Sequence, residues 1–334
     1  MDTKIFNNKI LFVIDKIELK YFEFNNLVTN FWLIKELLET GQEVYVTTID
    51  KLSLQNSIAC CKCFKSFLKD ADIYLEKELI DSQIENFNLV MFRPDPPVDL
   101  DYINATYIFD FVDKSKTIVL NDTKAIRDFN EKLHANLFHE FMPENIVTAN
   151  KAEIISFLKK NKEIILKPLN RCFGAGVMYL NDEDKNTTAI INSMTNDQST
   201  LVMVQKYISN VKFGDKRVLI LGNEVLEECV IKLSTNDDFK FNTHSDEFIK
   251  KATLTGSEKI KFKKVAEKLN SLGIFMAGLD VIDEQIIEIN VTSPCYFIKE
   301  INNYFSINLE KRIVNDILKL VKTPCPSTIN PKLK

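Results

Sequence analysis

Two hydrophobic periods alternate through the first third of the chain. KILFVID (9–15) and EVYVTTI (43–49) are short apolar runs rich in β-branched residues, the signature of buried strands. Between them, NLVTNFWLIKELLETGQ places Leu27, Phe31, Ile34 and the Leu37/Leu38 pair on one helical face and stops at Gly41. Strand, helix and strand make a βαβ unit, which requires parallel pairing. LVMFRPDPP (89–97) and TIVLND (117–122) predict two further strands. Behind Arg93, Pro94, Pro96 and Pro97 fix a rigid turn at a strand's carboxyl end, where open α/β sheets bind ligands. A stiff loop protecting a sheet edge would have the same composition.

The pattern then changes. AIRDFNEKLHANLFHEFM (125–142) predicts a helix crossing from one unit to the next, and KAEIISFLKKN (151–161) a second, amphipathic helix before the strand EIILKPL. From there the strands are joined by tight turns. Gly222-Asn223 separates two β-rich arms, and MAGLDVIDEQIIEINV turns near Asp283-Glu284, so antiparallel hairpins are expected. A parallel α/β unit is thus followed by an antiparallel α+β unit.

Composition narrows the function classes. At 334 residues the chain exceeds one typical domain. Its 45% hydrophobic and 27% charged content argues against disorder, and it lacks a run of about 18 apolar residues that could span a bilayer. The opening MDTKIFNNKILFVIDKI reads as a first strand, not a signal peptide. A net charge of -4, with no block of five or six like charges, argues against a basic face for nucleic acid and leaves room for a local basic pocket for an anionic ligand. Seven cysteines, an odd number without an export signal, point to the reducing cytoplasm. Cys60, Cys61 and Cys63 include half of a zinc-site spacing without a second half, so ordinary or helix-packed thiols are expected. Of only three histidines, His134 and His139 are five apart and share no helix face, leaving little material for histidine-based catalysis.

Three stretches carry chemistry. In GLDVIDEQIIEINVTSP, Glu288 and Asn290 are two apart on a strand and project from one face. Asp280 joins them if the turn is a three-residue loop or carries a bulge; a strict two-residue loop sends it to the other side. Together they would be a hard-cation site suited to Mg²⁺, or else the solvated polar face of a half-exposed strand. Lys167 ends the strand EIILKPL, and Lys132 in NEKL could converge with it. Gly174 and Gly176 permit the close backbone approach a phosphate needs, although the segment matches neither the P-loop nor the dinucleotide motif and a plain hairpin turn would read alike. In LVMVQKYISNVKFGDKRVLIL, Gln205, Lys206 and Tyr207 end an apolar strand, a setting suited to an adenine slot. Asp215, Lys216 and Arg217 open the next strand, and Arg217 is either a fixed clamp for phosphate or carboxylate or half of an interstrand salt bridge.

Taken in order, FRPDPP with DYINATYIFD, ND with RDFNEKL, ILKPL, QKYI, GDKRVLIL, GLDVI and EINVTSP resemble the ATP-grasp ligases, and within them the prokaryotic-type glutathione synthetases, over about residues 90 to 300. The resemblance implies an N-terminal open parallel-sheet α/β domain (1–124), a linking helix and small lid domain (125–205), a C-terminal antiparallel catalytic domain (206–324) and a flexible tail (325–334). It implies a cytoplasmic enzyme, a homotetramer by family habit, that joins γ-glutamylcysteine and glycine with ATP through an acyl phosphate. By position, Lys132, Lys167, Gly174 and Gly176 should meet ATP phosphates; Gln205, Lys206, Tyr207 and Ile208 the adenine; and Asp215 the ribose. Asp280, Glu288 and Asn290 should hold two Mg²⁺ or Mn²⁺ ions. Arg217, with Lys232 standing where the family has an arginine, should serve the transferring phosphoryl group. Arg93, Lys240, Asn242 and Ser293 should meet substrate.

The chain also departs from the family pattern. Asn170, Arg171 and Phe173 replace an Asp-Gly and half of a Gly-Gly pair, KFNTHSDEF lacks the glycines of a second loop, and Cys295 stands where a threonine is usual. Two other readings therefore stay open: an ATP-grasp ligase joining a related γ-glutamyl peptide to another amine, and a nucleotide-binding regulator without turnover.

Overall fold

The computed structural model describes residues 7–172, 174–233 and 248–322. The chain forms two units, one of residues 1–95, 100–124 and 307–334, the other of residues 96–99 and 125–306. The proline-rich tail at 325–334 lies outside the described residues.

The first unit is built on a seven-stranded sheet. Strands β1 (Lys9–Ile14), β2 (Glu43–Thr48), β3 (Leu52–Gln55), β4 (Ile58–Lys69), β5 (Asp72–Gln83), β6 (Leu89–Phe92) and β7 (Ile118–Leu120) run in the order β3-β4-β2-β1-β6-β7, with β5 on β4. The β2-β1-β6-β7 core is parallel, as the βαβ pattern predicts, and Ile10 to Val13 and Leu89 to Phe92 are fully buried. The helix Thr29–Glu39 begins two residues after Leu27, which is exposed, and Gly41 ends the segment at a positive φ of 80° that glycine adopts without strain.

Three features depart from the sequence reading. Residues 58–83 form a long antiparallel ribbon, and the cysteine cluster lies in its strand β4 and not in a helix; Cys61 and Cys63 share the inward side while Cys60 faces the other way. The segment 125–142 is not one helix. It is helical over Thr123–Asp128, turns through NEKL, and resumes as a 3-10 segment at His134–Phe141. Asn130 explains the break: its side-chain Oδ1 accepts from the Lys132 and Leu133 N–H groups, offering the backbone an alternative to helical bonding. Finally, the helix Leu309–Lys322 belongs with the first unit, where it packs on Thr29–Glu39, so residues 307–322 do not continue the C-terminal domain.

The second unit contains two antiparallel sheets. Strands β8 (Asn145–Thr148), β9 (Glu163–Pro168), β10 (Met178–Asn181) and β11 (Val202–Lys206) lie in the order β10-β9-β11-β8. Ile164, Leu166, Val202 and Val204 cover one face with the helices Lys151–Asn161 and Thr187–Met194, leaving Lys167 and Gln205 on the other. Strands β12 (Asp215–Leu221), β13 (Glu224–Val225), β14 (Glu228–Lys232), β15 (Ile249–Thr253), β16 (Met276–Ile282) and β17 (Gln285–Asn290) run β15-β14-β12-β16-β17, with β13 on β12. Val218, Ile220, Leu279, Val281 and Ile289 pack against Phe262, Val265 and Leu269 of the helix Gly256–Ser271. That assigns the alternate residues of the same strands to the opposite face. Among the described residues, no helix is long and apolar enough to cross a membrane.

Candidate active site

The turn Asp283-Glu284 has two positive φ angles, 53° and 59°, and pairs Ile282 with Gln285. A two-residue turn alone would send Asp280 and Glu288 to opposite faces. A bulge between Asp280 and Val281 corrects the register, so Asp280 lies directly across from Glu288, and Gly278 from Asn290. The polar row continues sideways, because Arg217 pairs with Asp280 and Lys232 with Asp215. Four adjacent strands thus contribute charged or amide side chains to a single face.

These groups are tightly bonded. Arg217 donates Nε to Asp280 Oδ1 at 2.8 Å, Nη2 to Oδ2 at 3.3 Å and Nη1 to the Cys295 carbonyl at 3.2 Å. Lys232 donates to Asp280 Oδ1 at 2.8 Å and pairs with Asp215 Oδ2 at 3.0 Å. Gly278 makes room for the guanidinium, since a Cβ there would stand 3.1 Å from Arg217 Cδ and Nη1. Arg217 is therefore half of a buried interstrand pair, not of a solvated one. Burial alone would raise the Asp280 pKa, but the Arg217 and Lys232 charges and hydrogen bonds outweigh it and hold the carboxyl well below the usual range. Asp215 goes the other way, up to about 7, through burial first and then the Asp280 charge, against Lys232. Its Oδ1 is buried without a hydrogen-bond partner.

Lys132 and Lys167 come from different elements and meet the same hairpin. Lys132 donates to Glu288 Oε1 at 2.8 Å and to the Arg171 carbonyl at 2.7 Å. Lys167 donates to Gln205 Oε1 at 2.8 Å and to the Ile287 carbonyl at 3.2 Å. Burial brings the Lys167 pKa down to about 8, with Lys132 adding repulsion and Glu288 opposing. Gln205 Nε2 is buried and unpaired. Beside it opens an apolar slot with Ile165, Val177, Ile208, Ile282 and Ile287 in its walls and Lys206 and Tyr207 at its edge.

Gly174 and Gly176 have φ of 69° and 75° in the loop between β9 and β10, and Ser293 is partly buried just after β17. Arg93 belongs to the first unit, where it is buried and donates Nε to Asn30 Oδ1 at 2.6 Å. Lys240 and Asn242, like Phe173, lie outside the described residues.

This arrangement can grip a polyanion. Lys132, Lys167, Arg217 and Lys232 face Asp215, Asp280 and Glu288, and an apolar slot adjoins the cations. Residues 9–127 match the family model for the N-terminal domain of prokaryotic glutathione synthetase, and residues 131–306 the model for its ATP-grasp domain. The chain belongs to that family. The glutathione synthetase of Neisseria meningitidis serogroup B is 30% identical over 275 residues, covering 80% of this chain and 86% of that protein. That of a Nostoc species is 32% identical over 296 residues, covering 84% and 89%. Among solved structures, D-cycloserine synthetase DcsG aligns with a TM-score of 0.65 over 94% of this chain and all of its own, at 12% identity, a likeness of fold alone.

As a member of the prokaryotic glutathione synthetases, the chain is an ATP-dependent carboxylate-amine ligase with the ATP-grasp fold. Sequence reasoning passed over the two residues before Lys132. Asn130 shapes the turn, and Glu131 accepts from Val291 N at 2.7 Å and from Thr292 N and Oγ1 at 3.1 Å each. Burial first, and then the Glu288 charge, raise the Glu131 pKa. The available signal was an acidic residue placed just before the lysine inside a segment read as helix.

Proposed function

We propose that this ligase is a glutathione synthetase, condensing γ-glutamylcysteine with glycine while ATP becomes ADP and phosphate. The observation that carries the reading is the polar row Lys232, Asp215/Arg217, Asp280, Glu288/Asn290, with Lys132 and Lys167 meeting its last strand. A carboxylate is a poor electrophile; transfer of the γ-phosphoryl group to it gives an acyl phosphate that the glycine amine attacks, expelling phosphate. Such chemistry needs charge neutralisation and alignment rather than a side-chain nucleophile.

ATP would be held by the residues between β9 and β12, with the four-stranded sheet as lid. The adenine fits the apolar slot at Ile165 and Ile287. The N–H groups of Lys206 and Tyr207 are committed to the Glu144 and Glu163 carbonyls, so the base edge would be read by the Lys206 carbonyl and the Ile208 N–H. Gln205 Nε2, a buried donor without a partner, gains an acceptor from the base, and Asp215 Oδ1 gains a ribose hydroxyl. Lys132, Lys167 and the loop of Gly174 and Gly176 would take the phosphates.

The donor set fits Mg²⁺ or Mn²⁺. Among the described residues no three His, Cys, Asp or Glu side chains cluster as ligands. The chain instead offers two carboxylates and one amide oxygen, the sparse shell a cation uses when phosphates and water supply the rest. Asn290 donates Nδ2 to Asp280 and to the Gly278 carbonyl, which reserves its Oδ1 for a cation. Two ions held by Asp280, Glu288 and Asn290 would neutralise the phosphate charge. Arg217 would steady the transferring phosphoryl group and Lys232 would hold Asp280 ionised beside it. Ser293, Lys240 and Asn242 would meet the dipeptide, by position in the family.

The test is phosphate release with ATP, Mg²⁺ and γ-glutamylcysteine, with and without glycine, and the product resolved by mass. Glycine-dependent release yielding glutathione is expected. Release only with another amine replaces this reading by that of a related γ-glutamyl peptide ligase, and tight ATP binding without release by that of a regulator.

A further inference from the structure

We propose that Glu131 is a positioning residue that fixes the carboxyl end of β17, and through it Glu288 and Asn290. The inference rests on the metal and nucleotide reading given above.

β17 is the last strand of its sheet, and an antiparallel edge strand turns alternate N–H groups away from its partner. The outward N–H of Ile289 meets the Glu131 carbonyl at 3.1 Å. Two residues later the Glu131 side chain takes over, its Oε1 accepting from the Val291 N–H at 2.7 Å and from the Thr292 N–H and hydroxyl at 3.1 Å each. One residue therefore grips positions 289, 291 and 292, leaving Asn290 bracketed and Glu288 one step before the first hold. The turn around it reaches further. Asn130 Nδ2 donates to the Leu169 carbonyl at 3.1 Å, and Lys132 joins the Arg171 carbonyl to Glu288. Residues 130–132 thus tie the glycine-bearing loop after β9 to the cation-binding hairpin.

One oxygen of the Glu131 carboxyl serves three donors, and an amide in its place would offer one acceptor oxygen and bring an NH2 group beside them. Without that carboxyl, the Val291 and Thr292 N–H groups lose their acceptor and the chain after Asn290 must move to find another. Glu131 itself touches no phosphate or substrate in this scheme; it acts through the placement of its neighbours.

The experiment measures Mn²⁺ binding in the presence of ADP, by the electron paramagnetic resonance signal of free Mn²⁺, for the full chain and for Glu131→Ala, Glu131→Gln and Thr292→Val. Thermal unfolding is followed in parallel. Glu131→Ala is expected to weaken Mn²⁺ binding by about tenfold or more, and to raise by a similar factor the Mg²⁺ needed for half-maximal ATP turnover. Glu131→Gln keeps the shape and one acceptor and is expected to fall between it and the parent. Thr292→Val loses only the hydroxyl bond and shifts binding least. If Glu131→Ala does not fold, Glu131→Gln decides. Parental Mn²⁺ affinity in folded Glu131→Gln overturns the inference, as does a lowered melting temperature with parental affinity in either Glu131 variant. Mn²⁺ binding does not depend on the acceptor amine. A parent chain that binds Mn²⁺ with ADP yet makes no glutathione sinks the proposed function while leaving Glu131 in its role.

Discussion

Glu18 in the first unit and Asp280 in the second each belong to a hydrogen-bonded chain that ends on a buried arginine. Asp280 touches its arginine directly and shares Lys232 as well. Glu18 is separated from Arg93 by a neutral amide: Asn30 Nδ2 donates to Glu18 Oε2 at 2.9 Å, and Arg93 Nε donates to Asn30 Oδ1 at 2.6 Å. The consequences are opposite. Asp280 is held ionised, whereas burial, with help from the Asp95 charge and against Asn30 and Arg93, pushes Glu18 up to about 7. Both acids pay the desolvation cost of the ionised form, and only a direct cation returns more than that cost. A metal ligand that must be anionic at every working pH therefore needs the Asp280 arrangement, and one intervening amide is enough to lose it.

The largest effect is expected from removing the anion that the cations surround. Asp280→Asn takes the shared carboxylate from the buried Arg217 and Lys232, and breaking such a pair costs about 3–5 kcal/mol. ATP-dependent turnover should fall by about a thousandfold. Chemical denaturation and phosphate release measure the two separately, and a variant of parental stability would show that the cations do not depend on Asp280. Glu288→Gln sharpens the contrast within the same hairpin. Glu288 is 22% exposed and pairs with Lys132, and glutamine keeps an acceptor oxygen for that lysine, so stability should drop less than in Asp280→Asn. Turnover should nevertheless be abolished, with Mn²⁺ binding lost; near-normal activity would remove Glu288 from the cation site.

The sequence exposed the second region far better than the first. Strand periodicity put Glu288 and Asn290 on one face, and the hairpin signal at Asp283-Glu284 located the turn. Whether Asp280 joined them was undecidable, because the bulge is set by packing of the two strands and leaves no local residue signature. NEKL was hidden inside a helical pattern, since Asn130 breaks the helix with a side-chain bond that only the folded turn reveals. In the first unit the parallel strands were plain from their β-branched runs. The ribbon at 58–83 was not, because β5 is mostly exposed and alternates weakly. Nor does the spacing of Glu18, Asn30 and Arg93, spread over three elements, announce that they meet.

The smallest effect tests Glu18 through the sign of its pH dependence. Its carboxyl has an ordinary value of 4.5 and rises to about 7 in the folded chain. Between those values the folded state binds the proton that the unfolded state has released, so this group lowers stability as pH rises from about 4.5 to 7, and the loss is complete above that window. Glu18→Gln keeps an acceptor for Asn30 Nδ2 and cannot ionise. The variant should match the parent below pH 4 and become progressively more stable, by at most about 3 kcal/mol above pH 8. Denaturation midpoints of the two proteins across that range decide it. Curves that stay parallel would mean that Arg93 reaches Glu18 through the amide after all, and that direct contact is not what separates the two arginine-ended chains.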